Sequence, residues 1–149
     1  MTRTALSTLV TVMAAVLLLP SSVGGVGPDY SPPPGVLNPH VTQSNVGSTI
    51  CVRGWTATVR PPLAYTAKLK RAQIHERHLP GGPSDYEEDH FIPLELGGHP
   101  TDPRNLWPEP WPEAKRKDRR EFGLNRAVCA DRMTLAAAQR KIADPSLWR

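Results

Sequence analysis

This sequence predicts a small α+β domain, on three observations. Short segments that read as extended stand close to a Gly97-Gly98 turn. Helical segments precede and follow them, the longest opening at Pro112. Two cysteines, Cys51 and Cys129, lie toward opposite ends of that arrangement. A chain of 149 residues has room for one such domain.

The first segment reads as a secretory signal peptide over 1–26. Arg3 makes a basic start, and Ala5 to Leu19 is apolar apart from Ser7, Thr8 and Thr11. Pro20 ends the run, and Ser21, Ser22, Gly24, Gly25 and Gly27 supply small residues. The run is shorter than the roughly 20 residues of a membrane span; an uncleaved anchor is the competing reading. Residues 27–40 form a Pro/Gly-rich linker around Pro32-Pro33-Pro34, expected to be extended and poorly packed. The folded domain is expected over 41–149. Export would place it outside the cell or on the envelope exterior, with no stable membrane association after cleavage. Its oligomeric state is not legible.

In an exported chain two cysteines usually pair, which predicts a Cys51–Cys129 bridge. Closing so long a loop stabilises by roughly 3–5 kcal/mol. Two buried free thiols are the alternative. The net charge of +4, or +3 without Arg3, suits an anionic partner and ordinary solubility equally.

Ser48 to Val52 is β-branched and predicts a strand, which Trp55 to Val59 continues beyond Gly54. Tyr65 to Arg77 predicts a helix, from an imperfect apolar stripe of Tyr65, Leu69, Ala72 and Ile74. Ser84 to Asp89 predicts a short strand and Phe91 to Leu96 the second strand of a hairpin-like unit, before the Gly97-Gly98 turn. Pro112 suits the first turn of a helix running to about Cys129, with Glu113 near its positive end. Thr134 is a good N-cap for a last helix, whose stripe is Leu135, Ala138 and Ile142. Asp144-Pro145 ends it.

The chemistry concentrates at Asp89-His90. Histidine is a good base near neutral pH, so His90 is the candidate general base. Asp89 is the candidate metal ligand, and Glu87, on the same strand parity, a supporting acid behind it. On the long helix, Asp118, Glu121, Phe122, Asn125 and Cys129 fall on one stripe, expected to face inward. Buried carboxylates are rare unless paired or bound to metal, so Asp118 or Glu121 is expected to complete the ion's ligands. Asn105, fifteen residues after His90, is expected to fix the base or bind the metal. Lys117, in the basic run Lys115 to Arg120, and Arg104 are candidate phosphate contacts.

These parts resemble the HNH, or ββα-metal, endonuclease superfamily. The resemblance rests on Asp89-His90, on Asn105 in the following loop and on the helix after Pro112. More narrowly, Tyr86 to Gly98, Asn105-Leu106-Trp107-Pro108-Glu109-Pro110 and Lys117-Asp118-Arg119-x-Glu121 are similar to small secreted bacterial HNH-like proteins. The segments around Cys51 and Cys129 are similar too. The resemblance implies a ββα-metal core and metal-dependent hydrolysis of DNA or RNA. It implies His90 as general base, Asp89 as metal ligand, and Asn105 as the residue that orients the histidine's loop or binds the metal. Many members carry a histidine on the helix; none follows His99 here, so Asp118, Glu121 or Asn125 would substitute. Carboxylate ligands favour Mg²⁺ or Mn²⁺ over Zn²⁺.

Blander readings compete. Asp89-His90 also suits a structural turn and Asn105 an ordinary turn residue. Glu121 also suits an i,i+4 pair with Lys117. Trp107 and Trp111 suit packing better than base stacking. The alternative function is an inactive secreted module of the same fold that binds nucleic acid or a cell-envelope partner.

Overall fold

The computed structural model describes residues 26–148. The signal peptide expected over 1–26 lies outside them, apart from Val26. Among the described residues the architecture is α+β. Two short antiparallel strands, β1 (Tyr86–His90) and β2 (Leu106–Pro110), are packed by helices α1 (Trp55–Val59), α2 (Leu63–Glu76), α3 (Trp111–Cys129) and α4 (Leu135–Ile142). No described helix is long and apolar enough to cross a membrane.

The expected N-terminal strand is absent. Residues 43–48 form a 3-10 turn, and Cys51, Val52 and Trp55 donate to carbonyls three to five residues back. Gly54, at φ 86°, then opens α1, where a strand had been expected to continue. Strand propensity is contextual. Among the described residues no strand lies alongside for Ser48 to Val52 to pair with.

The second strand lies elsewhere than expected. Phe91 to Leu96 is not extended: Phe91 donates to the Asn105 carbonyl, and Leu94 to Leu96 forms a 3-10 turn after Pro93. Phe91, Ile92, Leu94 and Leu96 are all buried, so the run is apolar for burial rather than for pairing. β1 pairs with β2 instead, in the register Glu87↔Glu109, Asp89↔Trp107 and His90↔Leu106. Pro108 and Pro110 are tolerated because both strands are sheet edges. Opposed residues share a face. Glu87, Asp89, Trp107 and Glu109 therefore lie on one face of the sheet, and Glu88, His90 and Leu106 on the other.

Between the strands the chain turns at Gly97, φ 75°. A Cβ on Gly98 would overlap the Ile92 carbonyl, so only glycine fits the return. The Pro/Gly-rich segment is extended, as expected, but it is also packed. Gly35 donates to the Arg104 carbonyl and Asn38 to that of Gly97, while His99 donates to the Val36 carbonyl. Pro33 and Asn38 are buried. The free N–H groups between its prolines make this pairing available.

The main core joins Phe91, Ile92, Leu96 and Trp107 to Leu124 and Val128 of α3 and to Leu135, Ala138 and Ile142 of α4. Cys51 and Cys129 are bridged, with Cα atoms 5.5 Å apart. The bridge fixes a turn, not a strand, to the end of α3.

Two outcomes follow. Gly98→Ala should cost about 3 kcal/mol by overpacking against fixed backbone, read as a lower urea midpoint. Cys51→Ser with Cys129→Ser should lower stability by roughly 3–5 kcal/mol with the far-ultraviolet circular dichroism retained.

Candidate functional site

His90 ends β1 and is buried. Its Nε2 lies 2.9 Å from the Pro100 carbonyl. A carbonyl can only accept, so Nε2 holds the proton and Nδ1 presents its lone pair. Burial, with Arg60 and Lys117 adding positive charge nearby, lowers the imidazole's pKa; the Pro100 carbonyl and Asp89 act against this without reversing it. His90 is therefore neutral at pH 7, as a general base must be. It lines an open groove of about 370 Å³ together with Arg60, Lys70, Glu87, Glu88 and Trp111. A larger groove of about 490 Å³ beside Arg116, Arg119 and Trp148 contains no histidine or carboxylate among its lining residues and offers no base.

Asn105 is fully buried between β1 and the loop. Its amide oxygen accepts from Ile92 N–H at 2.9 Å and Val36 N–H at 3.4 Å. Its amide nitrogen donates to the Ile92 and His99 carbonyls, each at 3.0 Å. The side chain thus clamps the loop that carries the Pro100 carbonyl to His90. Its hydrogen-bonding capacity is filled, and none remains for a ligand.

Asp89 projects from the opposite face of β1. One carboxylate oxygen accepts from the His90 N–H at 2.7 Å, and the other is paired with the Lys117 ammonium. Lys117 also reaches Glu109 at 3.3 Å, and the side chains of both are fully buried. Burial alone would raise the Asp89 pKa, but the Lys117 charge and hydrogen bond hold it below its ordinary value. Burial pushes Glu109 up to about 8, despite Lys117.

The inward stripe of α3 differs from the expected one. Ala114, Lys117, Leu124 and Val128 are buried, while Asp118, Phe122 and Cys129 are exposed. The disulfide joins the flank of the helix, so Cys129 does not mark its inner face. Glu121 is half-buried on the true stripe, and burial pushes it up to about 8. The i,i+4 pair between Lys117 and Glu121 is not among the ion pairs of the described residues. Asn125 donates to the Ile50 and Glu95 carbonyls.

Two phosphate contacts expected from sequence are otherwise engaged. The Lys117 ammonium is buried, and the Arg104 guanidinium forms a two-pronged pair with Asp102 at 3.0 and 2.7 Å. That pair holds the Asp102 carboxyl down at about 2. The expected ligand set is not assembled either. No three His, Cys, Asp or Glu side chains among the described residues converge as a metal site would require. Asp118 is exposed, and Asp89 is occupied by Lys117. Glu87 remains beside Asp89 and Asp118, and burial together with their charge raises its pKa. These residues do not fit a divalent ion as they stand.

Sequence reasoning missed Arg60, Lys70, Glu88 and Glu109. Glu88 and His90 alternate with Asp89 along β1, a signal present in the sequence; Arg60 and Lys70 come from a distant segment and gave none. Both Glu88 oxygens are buried without a hydrogen-bond partner. Burial pushes this carboxyl up to about 8, with Lys70 only partly offsetting it.

The folded pKa of Glu88 lies above its unfolded value, so its contribution to stability is fully present below about pH 4.5 and lost as pH rises through about 8. Melting temperature should therefore fall between pH 5 and pH 9, and Glu88→Gln should flatten that fall. A variant with the wild-type slope would contradict the assignment. Asn105→Ala should lower stability by about 3 kcal/mol, since it leaves buried loop groups unpaired. Comparison with protein-family models, with curated proteins and with solved structures found no match.

Proposed function

We propose that this chain is a secreted nuclease that hydrolyses phosphodiester bonds of DNA or RNA, with His90 as the general base. The observation that carries the reading is the state of His90: neutral, with its proton fixed on Nε2 and Nδ1 left as a lone pair, on a side chain that lines an open groove. Nδ1 would take a proton from water as the water oxygen attacks phosphorus. The bond from phosphorus to the departing sugar oxygen then breaks, and that oxygen is protonated from solvent. Arg60 and Lys70 supply positive charge along the same groove. Trp111, 41% exposed, offers a ring on its wall.

The order β1–β2–α3 supports a ββα-metal reading, as do the motifs that resemble the HNH group. The disulfide is compatible with export. The divalent ion implied by that resemblance has no assembled ligand set among the described residues. The pairing of Asp89 with Lys117 favours a second reading, a non-catalytic exported module of this fold that binds nucleic acid or an envelope partner.

The test is cleavage of plasmid DNA and of RNA by the mature, oxidised protein in Mg²⁺, Mn²⁺, Zn²⁺ or chelator. His90→Ala should lose at least about 100-fold in rate while remaining folded. The wild-type rate should rise with pH through a value below 6.5 and be level by neutrality, because the base must be unprotonated and its pKa is lowered. Equal cleavage by His90→Ala would remove the assignment; no cleavage by a folded wild type in any condition would favour the binding module.

A further inference from the structure

We infer that Lys117 is the resident cation of the Asp89 centre: its ammonium holds the place between Asp89 and Glu109 that a divalent ion would otherwise take. The inference deepens the hydrolytic reading of this site, which it takes as its setting.

Three features carry it. The Lys117 side chain is wholly inaccessible to solvent, and both carboxyl groups that face it come from the sheet, Asp89 from β1 and Glu109 from β2. A buried lysine is retained only where a carboxylate compensates it, and Asp89 does so here. The third side of the ammonium faces the Trp148 ring, whose centroid lies 5.9 Å from Nζ. An aromatic face attracts an ammonium and offers no ligand to Mg²⁺ or Mn²⁺, which bind oxygen at about 2.0–2.2 Å. Finally, the remaining Asp89 oxygen accepts from the His90 N–H. The lysine thus fixes the carboxylate that braces the backbone of the base. It acts as a positioning residue, through Asp89, with no contact to substrate.

The remaining acids are arranged consistently with this. Glu87, Asp118 and Glu121 surround the centre closely enough to feel Asp89 electrostatically, yet none joins it in a ligand set.

The experiment is a Mn²⁺ titration of the mature, oxidised chain by calorimetry, with melting temperature measured in Mn²⁺ and in chelator. Wild type, Asp89→Asn and Lys117→Ala are compared. Wild type should show no saturable binding tighter than about 1 mM that Asp89→Asn abolishes, and the same melting temperature in both buffers. Lys117→Ala should melt lower in chelator and recover by about 5 °C or more in Mn²⁺, as the ion enters the vacated place. Wild-type binding that Asp89→Asn removes would overturn the inference. So would a folded Lys117→Ala with no response to Mn²⁺. If Lys117→Ala does not fold, the wild-type and Asp89→Asn titrations still decide. Binding and melting are read without turnover, so a failure to cleave nucleic acid counts against the hydrolytic reading alone.

Discussion

The buried ammonium of Lys117 is the constraint on which the rest of the site depends. It draws α3 onto both strands at once, through Asp89 of β1 and Glu109 of β2. Burying three ionisable groups is costly, and their mutual pairing has to offset the lost hydration. Burial raises the pKa of Glu109, which lessens the negative charge that must be buried beside Asp89. Once Lys117 is fixed, the rotation of α3 follows. Leu124 and Val128, seven and eleven residues on, must face Phe91 and Trp107, and the core is assembled around that choice.

A second constraint acts on the other side of β1. Asn105 holds the loop from Ile92 to His99 by three hydrogen bonds and Val36 by a fourth, and the following Pro100 carbonyl fixes the tautomer of His90. Gly98 allows the backbone to come close enough for this clamp. Asp89 and His90 are adjacent in sequence but lie on opposite faces of the strand. One serves the charged cluster and the other the open groove. They communicate through the short bond from the His90 N–H to the Asp89 carboxylate.

Much of the fold was legible where the signal was local. Thr134 caps α4 through the Ala137 N–H, α2 and α3 begin within two residues of their expected starts, and the cysteines pair. Asp89-His90, Asn105 and the glycine pair stood out as side chains or backbone with few structural substitutes. The failures share a cause. Ser48 to Val52 and Phe91 to Leu96 carry apolar and β-branched residues for burial or turn packing, and composition does not distinguish that from pairing. Lys117 sits in a run of basic residues and reads as solvated. Its burial depends on Asp89, 28 residues away, and on the rotation of a helix that carries charged residues all around it. Glu109 lies within Asn105 to Pro110, and its partner Lys117 is about two turns into the following helix, with nothing in the sequence to pair them.

The extended segment before Val41 alters how the chain's beginning should be regarded. Gly35, Val36 and Asn38 are stitched to Gly97, His99 and Arg104, the same loop that Asn105 holds and that presents its carbonyl to His90. This strip is therefore a third layer of the loop's support, and it is contributed by residues that precede Val41. A chain shortened beyond Gly35 would keep every residue of β1, β2 and α3 and still lose part of the backbone support of the loop that meets His90.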